Sequence, residues 1–123
     1  MALRFVLDEH LRGLFWKHVR QYNARLPEAA IDVVRVGDPA DLPLGTSDPD
    51  ILAWCEREGR ILVSMDRRTL PVHLAEHLAH GRNSPGVFIV REVPINVAVE
   101  FLALADVASE PAEWAGQIHH IPF

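Results

Sequence analysis

One cysteine, Cys55, occurs in 123 residues. That excludes an internal disulfide framework and any zinc or iron–sulfur site built from several thiolates. Lysine is equally scarce: Lys17 stands alone among 12 basic residues. The basic residues are outnumbered by 17 acidic ones, for a formal charge of −5. A chain this acidic is a poor candidate for broad, non-specific DNA binding, which needs a basic face. An acidic metal site that works on nucleic acid stays open. Long apolar runs are also missing. The most apolar stretch, residues 95–108, is interrupted by Glu100 and Asp106, so it cannot span a bilayer. The run at residues 1–7 is too short for the core of a signal peptide and reads as a strand. No repeat or low-complexity tract is present. With 49% hydrophobic and 24% charged residues, the composition is that of a globular chain, and the length predicts one domain over 1–123. A soluble, reducing, cytoplasmic setting is expected.

What is present is an alternation of short strands and helices. Leu3 to Leu7 reads as a buried strand. His10 to Tyr22 carries Leu11, Leu14, Phe15, Val19 and Tyr22 at helical spacing. Ile31 to Val36 is rich in β-branched residues and predicts a second strand, followed by a long loop over 37–47. A helix begins near Asp48, where Pro49 suits the first helical position and Asp48 suits the N-cap, and Gly59 ends it. Arg60 to Ser64 predicts a third strand, Pro71 to His80 a helix, Gly86 to Val90 a fourth strand and Pro94 to Ala108 the last long helix. Gln117 to Ile121 reads as an edge strand. Such alternation implies an α/β fold with a mainly parallel sheet covered on both faces.

Ligands of such sheets bind beyond the carboxyl ends of the strands. Asp8 and Glu9 follow the first strand, Asp38 the second, Asp66 the third, and Arg91 and Glu92 the fourth. Clustered carboxylates repel one another unless a cation neutralises them. Mg²⁺ or Mn²⁺ takes such oxygen ligands, and the matching chemistry is metal-assisted phosphodiester hydrolysis. Each acid also has a plainer role: Asp48 as a cap, Asp50 as a first-turn charge, Asp38 as a turn residue. Asp8 and Asp66 are the pair least explained that way. Residues 1–25 carry five basic and two acidic side chains, with Arg12, Lys17, Arg20 and Arg25 on or beside the first helix.

The segments Phe5-Val6-Leu7-Asp8-Glu9-His10-Leu11, Asp32-Val33-Val34-Arg35-Val36, Ser47-Asp48-Pro49-Asp50-Ile51-Leu52 and Gly59-Arg60-Ile61-Leu62-Val63-Ser64-Met65-Asp66, in this order, resemble the PIN-like nuclease superfamily, in particular a bacterial branch of small PIN-like proteins. The resemblance covers about the first half of the chain, and Gly86 to Val90 extends it. It implies a three-layer α/β/α fold with a central, mainly parallel sheet. It also implies a catalytic metal site of Asp8, Asp48 and Asp66 that holds Mg²⁺ or Mn²⁺ and cleaves single-stranded RNA. Relatives of this kind are often toxins, relatives of the VapC type, paired with a small antitoxin protein encoded nearby, and often homodimers. The branch has an acid and an aromatic where this chain has Arg68 and Thr69, so Glu9 is the substitute fourth ligand. In this reading Arg12, Lys17, Arg67 and Arg68 contact the RNA backbone, and the products carry a 5′-phosphate and a 3′-hydroxyl.

Three rival readings differ in class. A receiver domain would use Asp66 as phosphoacceptor and Asp8-Glu9 as its acidic pair, but it needs a lysine after the last strand. A zinc peptidase would use the H-x-x-E-H order at His73, Glu76 and His77, with His80 on the same face. A catalytically degenerate PIN-like interaction module would use Trp54, Trp114 and Phe123 as core or interface residues. Cys55, in the apolar stripe of its helix, reads as packing.

Overall fold

Five strands of four residues each build one sheet: β1 (Arg4–Leu7), β2 (Asp32–Arg35), β3 (Ile61–Ser64), β4 (Val87–Val90) and β5 (Ile118–Ile121). Their order is β2-β1-β3-β4-β5, and every neighbour pair is parallel. The computed structural model describes residues 3–122, so Phe123 lies outside the described residues. Four helices cover the sheet: α1 (Leu14–Arg25), α2 (Asp48–Glu58), α3 (Leu70–Ala79) and α4 (Ile95–Ala108). No described helix is long and apolar enough to cross a membrane.

The continuous apolar strands follow from this layering. Side chains alternate across a strand, and a strand covered on both faces needs apolar residues at every position. Phe5, Leu7, Val63, Phe88 and Val90 pack with Phe15 and Val19 of α1 and Leu102 of α4. Val6, Leu62, Val87 and Ile89 pack on the opposite face with Ile51 and Trp54 of α2 and Leu74 of α3. The result is the three-layer α/β/α fold expected above.

The crossovers hold a surprise. The paths through α1, α2 and α3 share one hand. The β4–α4–β5 connection steps in the same direction as the two before it, yet α4 lies on the α1 face, so it has the opposite hand. Crossovers of one hand are strongly favoured in general. Here the departure covers Phe88, Val90 and Ile121, which α1 alone would leave open to water on that face.

Element boundaries moved in places that matter for function. The first helical segment is split: a short 3-10 turn (Glu9–Leu11) precedes α1, with Gly13 between them. Ser47, not Asp48, caps α2; its hydroxyl accepts from Asp50 N at 3.4 Å, and Asp48 is the first helical residue. Serine and aspartate are comparable caps, so the sequence did not separate them. Gly59 ends α2 in the left-handed conformation at φ 70°, as expected.

Gly86 enters β4 at φ 120°, and a Cβ there would stand 2.6 Å from the carbonyl oxygen of Trp114. Both backbone strain and a contact with rigid main chain oppose any side chain. Gly86→Ala should therefore destabilise the fold by more than about 1 kcal/mol, read as a lower midpoint in urea unfolding. An unchanged midpoint would mean that the β5 side of the sheet yields freely.

Candidate functional site

The chain leaves β1 toward the α1 face and leaves β3 toward the α3 face. These two strands are neighbours, so their carboxyl ends bound the crevice where parallel sheets bind ligands. Asp8 directly follows β1, and its backbone N–H donates to Val63 O of β3 at 2.9 Å. Asp66 follows β3 after Met65. Ser64, fully buried, links the two acids: its hydroxyl donates to Asp8 Oδ2 at 2.8 Å and accepts from Asp66 N at 3.0 Å. Sequence reading missed Ser64; the available signal was a hydroxyl ending an otherwise apolar strand.

Asp48 arrives from a different direction, on the first turn of α2. The long loop over 37–47 delivers it, and Glu9 pins that loop by accepting from Gly45 N at 2.8 Å. Asp8, Glu9, His10, Gly45, Thr46, Asp48 and Asp66 line one cleft of about 320 Å³. All four acids expected from the sequence thus face the same crevice. Glu9 faces it as the anchor of the loop.

Their electrostatics differ. The Asp48 carboxyl is pushed above the usual range, first by burial and then by repulsion from Asp8 and, less, Asp66, with His73 and His10 opposing. The Asp66 carboxyl is held below it, mainly by the Thr69 hydroxyl and by the backbone N–H groups of Thr69 and Arg68. Asp8 Oδ1 accepts from Glu9 N at 2.7 Å. Among the described residues no group of three His, Cys, Asp or Glu side chains is arranged to hold a metal ion. The donor chemistry nonetheless suits a hard divalent cation, because each carboxylate has more acceptor sites than these hydrogen bonds occupy. The mutual repulsion at Asp48 is of the kind a cation relieves.

That repulsion has a measurable sign. Asp48 holds its proton more tightly in the folded chain than in the unfolded one. Burial and its two neighbours outweigh the favourable helix N-terminus. Ionising it therefore costs stability: the contribution is most favourable below the unfolded value of about 3.9 and is lost as pH rises through the raised folded value. Asp48→Asn should raise the urea midpoint at pH 7, with the gap to wild type closing below about pH 4. A gap that grows on acidification would contradict the raised value.

The basic residues divide. Arg12 donates to Val36 O at 2.6 Å and pairs with Asp38 at 3.3 Å, so it supports the turn after β2. Asp38 also pairs with Arg35 at 2.8 Å and stays outside the cleft. Lys17 lies on the exposed face of α1 beside Trp16 and Arg20, away from the acids. Arg67 and Arg68 are exposed directly after Asp66.

His73, Glu76, His77 and His80 do share a cleft, of about 240 Å³. Its histidines have other partners: His77 Nε2 stands 2.7 Å from Asn83 O, and His80 Nδ1 stands 2.7 Å from Glu76 O. His73 Nε2 lies 3.8 Å from Asp48 Oδ2. Cys55 is buried, and burial pushes its thiol up to about 12, so it packs rather than attacks.

No family model, no curated protein and no solved structure matches this chain. Fold and site together define a three-layer α/β/α protein with an all-parallel five-stranded sheet and a carboxylate cleft at its switch point.

Proposed function

We propose that this protein is a Mg²⁺- or Mn²⁺-dependent ribonuclease that hydrolyses phosphodiester bonds of single-stranded RNA. One observation carries the reading. Asp8, Asp48 and Asp66 come from three separate segments, line one cleft, and act on one another electrostatically. A sheet edge that served only structure would gain nothing from concentrating carboxylates there.

Asp8 and Asp66 would hold the cation directly, and Asp48 directly or through water. When bound, the cation supplies charge stabilisation at the phosphate and a water acidic enough to react near neutral pH. Ser64 orients the Asp8 carboxylate, and Thr69 with the backbone of Arg68 orients that of Asp66. Glu9 keeps the 37–47 loop, and with it Asp48, at the cleft. Arg67 and Arg68, exposed directly after Asp66, would contact the RNA backbone. The reading includes a PIN-like relationship, a cytoplasmic setting and the role of toxin, restrained by a small antitoxin protein, with a homodimer as the assembly.

A second reading, an interaction module without chemistry, is favoured by one observation: Thr69 and the adjacent backbone occupy both oxygens of Asp66. Calorimetric titration with Mn²⁺, followed by cleavage of labelled single-stranded RNA with and without EDTA, separates the two. Metal binding and EDTA-sensitive cleavage support the nuclease. No binding at millimolar Mn²⁺ and neutral pH leaves the module.

A further inference from the structure

Six of the 12 basic side chains are tied down by ion pairs or hydrogen bonds within the chain: Arg4, Arg12, Arg35, Arg57, Arg60 and Arg82. Among the described residues the other six, Lys17, Arg20, Arg25, Arg67, Arg68 and Arg91, make no such side-chain contact, and of these Arg67 and Arg91 fall together. Both are exposed, and both line a second cleft of about 470 Å³ beyond the carboxyl ends of β3, β4 and β5. Met65 and His120 line it too, with Glu92 as its one acid. This cleft and the acid cleft meet at the segment 65–67: Asp66 faces one, while Met65 and Arg67 face the other.

The juxtaposition has a chemical sense. Arg91 follows β4 directly and Arg67 stands three residues beyond β3, the neighbouring parallel strand, and the two line one cleft. Guanidinium is a fork-shaped donor that matches phosphate oxygens. Met65 is 52% exposed at the divide, an apolar and polarisable surface unusual among charged neighbours. Cations for backbone phosphates beside an apolar face for a base are what a single strand of nucleic acid requires.

We propose that this second cleft is the subsite for nucleotides flanking the scissile phosphate, with Arg67 and Arg91 holding backbone phosphates and Met65 contacting a base. The proposal rests on the nuclease reading, since the acid cleft supplies the point from which the strand extends. Arg91, His120 and Met65 thereby join a binding surface that the strand-end carboxylates alone did not reveal.

The test is fluorescence anisotropy of a labelled 12-nucleotide single-stranded RNA with the full chain in EDTA, across a salt series. Arg67→Ala/Arg91→Ala should weaken binding at least about 10-fold. It should also flatten the log–log salt dependence by about 1.4, since each lost contact on a single strand removes about 0.7. Arg20→Ala/Arg25→Ala on α1 removes the same charge elsewhere and should change affinity less than about twofold. Equal losses in both pairs, or no RNA binding by the wild type, would overturn the subsite. So would tighter Arg67- and Arg91-dependent binding of an oligoglutamate peptide, which would mark a protein-docking surface. Cleavage with an unchanged KM in the Arg67→Ala/Arg91→Ala variant overturns the subsite and spares the nuclease. RNA binding that needs both arginines, without cleavage in Mn²⁺, removes the nuclease and with it the flanking-subsite role, and leaves a cleft that only holds single strands.

Discussion

Asp8→Asn should abolish metal-dependent RNA cleavage while leaving the metal-free chain folded, with at most a modest loss of stability. The two halves of this expectation have separate causes. Asparagine keeps the Oδ1 acceptor for Glu9 N, which Asp8 holds at 2.7 Å. Its amide replaces Oδ2 and donates to Ser64 Oγ, reversing the existing 2.8 Å bond; the buried Ser64 hydroxyl proton then loses its acceptor, at a cost of about 1–3 kcal/mol. No packing is lost. What disappears is a negative charge that raises the Asp48 carboxyl, so the cleft loses repulsion. Cleavage depends on that same charge. Outer partners of metal ligands already cost 10- to 100-fold when removed, so a direct ligand should cost more than about 100-fold. Initial rates in Mn²⁺ and melting curves in EDTA measure both. Activity within tenfold of wild type would remove Asp8 from the ligand set. Lost activity with a collapsed melting curve would make Asp8 a structural residue.

Phe88→Ala should be the most damaging core substitution. Phe88 is fully buried in β4, and its ring meets three others. The centroid distances are 4.9 Å to Trp114, 5.9 Å to Phe5 and 6.2 Å to Phe101. Removing it opens a cavity at the junction of β1, β4, α4 and the segment leading to β5. Phenylalanine-to-alanine changes in such places cost about 3–5 kcal/mol, which for a domain of this size lowers Tm by roughly 10–20 °C. Leu104 on the exposed side of α4 is the contrast, at 58% exposed. Leu104→Ala should fall within about 0.5 kcal/mol of wild type. A Phe88→Ala loss under about 1 kcal/mol would mean that the α4 side of the core refills the space.

Much of this was legible locally. β4 reads as a buried strand because all four of its residues are apolar, and they are in fact all buried. Asp8 and Asp66 stood out because each closes an apolar run, and both reach the cleft. Glu9 stands beside Asp8 in the sequence and lines the same cleft, and only the fold shows that it also anchors a loop through Gly45, 36 residues away. Arg12 reads from the sequence as a free cation on the first helix, whereas in the fold its partners are Val36 O and Asp38. Charge along a sequence does not show which cations are already paired. Arg91 makes the complementary point: its place after the fourth strand is legible in the sequence, but only the pairing of β4 with β3 brings it to the same cleft as Arg67.

The sequence by itself determined the element types and which side chains stand at strand ends, because both depend on periodicity and on neighbours a few residues apart. Tertiary structure alone decided the order β2-β1-β3-β4-β5, the reversed crossover that sends α4 to the α1 face, and the arrival of Asp48 beside Asp8 and Asp66. Those outcomes arise from burying two opposite apolar faces at once, a condition imposed on residues far apart in the chain and written in no single segment of it.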